Sequence, residues 1–271
     1  MDFNVYPGSR IERLPGALKW PALAARNVRD GIGRTGIVSK ALGFEYLSDG
    51  LGTAHYSPFR DDPGFEQAYQ EIVKWWWQGR ALDIRWRMWI MTACARQCVA
   101  LPGAFAEFGV YRGGCAYMIL DQAKLRPDQT FFLFDTFSGI PDTNLTAEET
   151  RAGFGGRLAD TSVSHILQVL EPWRLQVQPV EGDVFVTLET TETGPLAFCH
   201  LDLNASAPSL HALHYAYSRL LPAGMIIMDD YTQHEFSAQR KVVDEFFADK
   251  PEVPLALPTG QGLIVKLPAP V

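Results

Sequence analysis

The chain has no long hydrophobic run and few cysteines, four in 271 residues. The first absence excludes a membrane-spanning helix, which needs about 20 consecutive apolar residues. The second excludes a disulfide scaffold, and Cys94, Cys98, Cys115 and Cys199 fall at no zinc-finger spacing. They read as small buried hydrophobes in a reducing cytosol. Basic charge is scarce as well: 24 Lys and Arg stand against 31 Asp and Glu, for a net charge of −7. Proteins that bind nucleic acid by neutralising phosphates are normally basic, so no nucleic-acid partner is expected. Met1 is followed by Asp2, and Arg10, Arg13 and Lys19 interrupt the start before an apolar segment forms. No leader, no membrane partner and a cytoplasmic location are therefore expected.

What is present in quantity is apolar content, 47% against 20% charged residues. That balance excludes intrinsic disorder. A chain of this length buries roughly 70–75% of its unfolded surface and needs no metal or disulfide to stay folded.

Residues 1–60 show no clear period and are punctuated by glycine and proline. They read as an irregular arm with short helices. Residues 64–80 and 83–100 read as helices, the second stopped by Pro102 and Gly103. Trp75, Trp76 and Trp77 cannot share one helix face, so two are expected buried and one at an interface. From residue 104 short apolar runs alternate with amphipathic stretches. Strands are expected at 104–110, 130–135, 175–182, 196–203 and 224–230. Helices are expected at 113–125, 162–173, 209–221 and 236–248, and the end, PLALPTGQGLIVKL, reads as two strands around a turn. This alternation predicts an α/β fold: a doubly wound, mostly parallel sheet ordered 3-2-1-4-5, closed by an antiparallel hairpin at one edge.

In such a sheet ligands bind beyond the carboxyl ends of the strands. The first strand ends in Glu107-Phe108-Gly109-Val110-Tyr111-Arg112-Gly113-Gly114. Its glycines allow close backbone approach and open a helix with free N–H groups. The second strand ends in Asp135, where a carboxylate can hold two ribose hydroxyls. The G-x-x-x-G-G spacing is not the dinucleotide fingerprint G-x-G-x-x-G. S-adenosylmethionine suits it better, having a ribose and adenine but no phosphate. Glu107 and the turn N–H groups are candidate partners for its amine and carboxylate, and Gly182 with Asp183 for the adenine edge.

The fourth strand carries Asp202, and the fifth ends in Asp229-Asp230. These strands are neighbours in the predicted order, so three carboxylates crowd one rim. Like charges that close repel unless a cation sits between them. An all-oxygen set favours Mg²⁺ first and Mn²⁺ second.

EFGVYRGG (107–114), FDTFSGIP (134–141), DTS (160–162), HLDLN (200–204), PAGMIIMDDY (222–231) and KVVDEFF (241–247) together resemble the macrocin-type O-methyltransferase family. The resemblance runs from about residue 83 to 267. It implies a Rossmann-like class I methyltransferase domain over 83–271, with a seven-stranded sheet, and an arm or lid over 1–82. It implies S-adenosylmethionine bound by Glu107, Gly109, Tyr111, Arg112, Gly113, Asp135, Thr136, Phe137, Ser138, Gly182 and Asp183. It also implies Mg²⁺ or Mn²⁺ on Asp202, Asp229 and Asp230, and a small-molecule hydroxyl acceptor, a sugar by expectation; a homodimer is the candidate assembly. The family pattern on the fourth strand is often D-x-D, its second Asp being the general base. Here Asn204 stands at that place and cannot take a proton. Asp202 keeps its catalytic metal role, and His234 is the preferred substitute base, with His200 behind it. Asn204 also motivates a second reading, a silent cofactor-binding partner protein. A nicotinamide dehydrogenase, the third, lacks its glycine fingerprint.

Overall fold

The computed structural model describes residues 43–76 and 83–268. Most of the arm, and Trp77 with the rest of the helix expected to residue 80, lie outside the described residues.

The described part of the arm opens with a hairpin that the sequence reading passed over. Strands β1 (Tyr46–Ser48) and β2 (Leu51–Thr53) pair antiparallel. Asp49 and Gly50 join them, both at positive φ (50° and 74°). A two-residue Asp-Gly loop with both φ positive matches the twist of the flanking strands. Helix α1 (Pro63–Trp75) starts at Asp62, whose carboxylate accepts from the Phe65 N–H. Its buried residues Phe65, Ala68, Tyr69 and Ile72 recur at helical spacing. Each large one contributes about 1.5–3 kcal/mol on burial. Helix α2 (Arg85–Cys98) buries Met88, Met91, Ala95 and Cys98, and also the cation Arg87. Both helices belong to the hydrophobic core on one face of the sheet.

The remaining elements follow in order: β3 (Ala104–Phe108), α3 (Gly114–Ala123), β4 (Phe131–Asp135), α4 (Ala147–Arg151), α5 (Val163–Val169), β5 (Val177–Glu181), α6 (Val184–Thr190), β6 (Leu196–Leu201), α7 (Ser206–Arg219), β7 (Leu220–Met228), α8 (Ser237–Phe247), β8 (Leu255–Ala256) and β9 (Gly262–Val265). The sheet has seven strands ordered β5-β4-β3-β6-β7-β9-β8. The first five run parallel, and β9 pairs antiparallel with both β7 and β8. This is the predicted 3-2-1-4-5 order with its closing hairpin. All six residues of β6 are buried, as a central parallel strand requires.

Three local readings differ. Leu220 and Leu221 fit the period of α7 but begin β7 instead, since apolar pairs satisfy either period. Helices α4 and α6 were not read from the sequence; both are short and set by caps, Thr146 with Glu149 for one and Asp183 for the other. All four cysteines are free and buried. No described helix is long and apolar enough to cross a membrane.

Candidate active site

A cleft of about 360 Å³ opens at the carboxyl ends of the parallel strands. Glu107 and Gly109 reach it from β3, Asp135 from β4, Gly182 from β5, Asp202 from β6, and Asp229 with Asp230 from β7.

One rim is built from backbone. Gly109 has φ +87°, and a Cβ there would lie 2.0 Å from the Asp202 carbonyl oxygen. Only glycine lets the two strand ends approach so closely. Gly114 has another reason: a Cβ would fall 2.2 Å from the Trp76 ring, which rests on the start of α3. Trp76 is buried there, while Trp75 is half-buried against Tyr117 and His165. Asp135 ties the turns together. Its Oδ2 accepts from the Val110 and Tyr111 N–H groups at 2.7 and 2.8 Å, and its Oδ1 from Phe137 N–H at 2.8 Å. A carboxylate has about four acceptor positions; these three bonds occupy three of them, and the Thr136 hydroxyl lies 3.5 Å from Oδ1. Asp183 caps α6 through Phe185 N–H at 3.0 Å and accepts from the Asn144 amide at 2.7 Å.

The resemblance-derived cofactor residues divide. Glu107, Gly109, Tyr111, Asp135, Thr136, Gly182 and Asp183 line the cleft. Arg112, Gly113, Phe137 and Ser138 do not. Arg112 is drawn away by the carbonyls of Trp75 and Asp160 and by the Asp160 carboxylate at 3.3 Å. Gly113 is the left-handed N-cap of α3, facing Ile166. Phe137 turns into the core and Ser138 outward.

The other rim is built from side chains. The parallel register pairs Leu201 with Met228, which brings Asp202 beside Asp229. One carboxylate oxygen from each of Asp202, Asp229 and Asp230 lies within 4.8 Å of the others. Each is oriented by one amide. Asn204 Nδ2 donates to Asp202 Oδ1 at 2.8 Å, Gln261 Nε2 to Asp229 Oδ1 at 3.1 Å, and Gln233 Nε2 to Asp230 Oδ1 at 2.7 Å. Burial and the Asp229 charge push the Asp202 carboxyl up to about 7, and Asp230 is likewise pushed well above the usual range. Burial would raise Asp229 too, but Arg87 and His200 hold it below that range. The Arg87 Nη1 donates to Asp229 Oδ2 at 2.6 Å. Three oxygens so gathered, two of them reluctant to ionise without a cation, fit a hard divalent ion.

Neither histidine expected to replace the base reaches the cleft. His234 is exposed on the turn before α8, and Gln233, Glu235 and Phe236 around it line the cavity instead. His200 is fully buried in β6, its Nδ1 2.9 Å from Glu107 Oε1. Asn204 has φ +57°, a conformation Asn tolerates well, and its amide serves Asp202. Sequence reasoning missed Arg87, Asp49, Gln233 and Gln261. Of these only Asp49 had a local signal, the Asp-Gly turn.

Two curated relatives bear similar sequences. One is the mycinamicin III 3''-O-methyltransferase of Micromonospora griseorubida, 29% identical over 164 residues, 54% of this chain and 64% of that protein. The other is the 8-demethyl-8-(2,3-dimethoxy-alpha-L-rhamnosyl)-tetracenomycin-C 4'-O-methyltransferase of Streptomyces olivaceus, 28% identical over 140 residues, 48% of this chain and 54% of that protein. The chain thus matches less than two thirds of the length of either. Among solved structures the O-methyltransferase NovP shares the fold, with a TM-score of 0.58 and 23% identity over 67% of this chain and 80% of its own. With the family model matching residues 69–255, the chain belongs to the macrocin-O-methyltransferase (TylF) family.

Proposed function

We propose that this protein is an S-adenosylmethionine-dependent O-methyltransferase that holds a divalent cation, Mg²⁺ first and Mn²⁺ second, on Asp202, Asp229 and Asp230. The acceptor we propose is a hydroxyl on a sugar or natural-product scaffold. The observation that carries the reading is the convergence of that trio, within one cleft, with the glycine turn of β3. The named activities of the two curated relatives support the acceptor class.

When bound, the methyl donor supplies a carbon already activated by its positive sulfur, and the cation supplies Lewis acidity that lowers the pKa of an acceptor hydroxyl. The chain's own residues do the rest by positioning. Glu107 is buried with Oε2 unpartnered while His200 holds Oε1, so the free oxygen has a set direction toward an amine. Asp135 holds the two turns in one geometry before any ligand arrives. Asn204, Gln261 and Gln233 set the three carboxylates. Such orienting bonds beyond the ligands typically matter 10–100-fold for metal affinity. Arg157 and Glu235, paired at 3.1 Å, wall the cleft, and we assign them to the acceptor. Asn204 serves as an orienting amide on Asp202 and supplies no base, so transfer of a methyl group to any acceptor is what separates this reading from a silent cofactor-binding member.

The test combines stability and turnover. S-adenosylhomocysteine should raise the melting temperature with or without EDTA, and NAD should not. Transfer of a labelled methyl group to a panel of sugar-bearing acceptors should stop in EDTA and return with Mg²⁺. Stabilisation by NAD alone, or full activity in EDTA, overturns the reading.

A further inference from the structure

The acidic rim carries its own cation. Arg87 is only 9% exposed. Its Nη1 donates to Asp229 Oδ2 at 2.6 Å and lies 3.8 Å from Asp230 Oδ1. Its Nε and Nη2 donate to the two oxygens of Asp49 at 3.1 and 2.9 Å. Asp49 sits at the tip of the β1–β2 hairpin, so one guanidinium bridges the arm and the carboxylate trio. The line continues inward, with His200 Nε2 3.7 Å from Asp229 Oδ1 and His200 Nδ1 2.9 Å from Glu107 Oε1.

An arginine cannot shed its charge, so a buried one must be neutralised in every state. The two-point contact with Asp49 is the geometry its planar fork favours. The contact with Asp229 is single. Two positive charges arriving among Asp202, Asp229 and Asp230 would repel Nη1 and compete for the same carboxylate. The single contact is the one that weakens, and the two-point contact is the one that remains.

We propose that Asp49 and Arg87 form a clasp that couples hairpin docking to ion binding. Arg87 is the resident cation of the trio when no ion is bound, and Asp49 is the carboxylate that takes it over when one binds. Arg87 is then a positioning residue, and the inference rests on reading the trio as a cation site. It requires effects of opposite sign. Removing the Arg87 charge removes a competitor and tightens ion binding. Removing the Asp49 charge leaves Arg87 on the trio and weakens it. An ion pair with a purely structural role would weaken binding in both cases.

The experiment measures Mn²⁺ affinity by calorimetry on the full chain, alongside amide hydrogen exchange over residues 46–53. Arg87→Met should bind Mn²⁺ roughly threefold tighter or more, and Asp49→Asn roughly threefold weaker or more. Exchange in the hairpin should slow when Mn²⁺ saturates the wild type. If Arg87→Met does not fold, Asp49→Asn and the exchange measurement decide. Shifts of the same sign, or an unchanged Asp49→Asn affinity with hairpin exchange unaffected by Mn²⁺, overturn the clasp and leave the cation site standing. A wild type that binds no Mn²⁺ overturns the cation reading itself, and the clasp with it.

Discussion

The two rims of the cleft are made differently. The rim proposed for the cofactor is a backbone device: glycines at crowded or left-handed positions, N–H groups, and one carboxylate, Asp135, holding three of them. Its parts lie close in sequence or on adjacent strands. The acidic side is a side-chain device assembled from Asp202, Asp229, Asp230, Asn204, Gln233, Gln261, Arg87 and Asp49. The Arg87–Asp229 contact alone joins residues 142 apart. The backbone rim is consequently preorganised whatever occupies it, whereas the acidic rim concentrates like charge and invites a cation. Damage to one rim should therefore leave the other measurable.

The sharpest break in that comparison is Asp230→Asn. It should lower methyl transfer by about a hundredfold or more, since a ligand of the proposed activating ion is lost. Affinity for S-adenosylhomocysteine, read by calorimetry, should stay within about twofold. Loss of both together would show that the rims are not separable.

Asp135→Ala attacks the other side. Hydrogen bonds to a charged acceptor are worth about 1.5–3 kcal/mol each, and three backbone donors lose theirs. Cofactor affinity should fall at least roughly tenfold, and the melting temperature by roughly 3 °C or more. Mn²⁺ affinity should be unchanged. A variant with wild-type cofactor affinity would remove Asp135 from the site.

Asn204→Ala sharpens the comparison within the acidic rim. It removes one orienting amide while keeping all three carboxylates, so Mn²⁺ should bind about tenfold more weakly, with cofactor affinity intact. Unaltered Mn²⁺ binding would reduce Asn204 to a turn residue. The smallest effect belongs to His234→Ala. Its side chain is exposed and outside the cleft wall, so the rate should stay within about twofold of wild type across pH 6–9, measured as a pH–rate profile. A strong loss at neutral pH would restore His234 as the base.

Much of the fold was legible because each signal was local. The runs AFAEF, FFLFD and LAFCHL are apolar apart from Glu107, Asp135 and His200, as strands buried on both faces largely must be, and the stretches between them have helical spacing. The hairpin at Asp49-Gly50 was legible in principle, but its strands are three residues each and offer little period. Helix α6 escaped because a seven-residue helix carries one turn of pattern and is set by its Asp183 cap.

At the site the division follows the same line. Gly109, Asp135, Asp202, Asp229 and Asp230 stand at strand ends, and a strand end marks the functional edge of a parallel sheet from sequence alone. By itself, then, the sequence determined the strand order, the glycine turn and Asp135 at the strand ends, and the acidic trio. Only the tertiary structure decided that Arg112, Phe137, Ser138 and His234 turn away from the cleft, and that Arg87, Gln233 and Gln261 turn toward the carboxylates. The physical reason is that chain direction and burial follow from local periodicity, whereas the choice of partner for a long polar side chain depends on which carboxylate a distant element brings within about 3 Å.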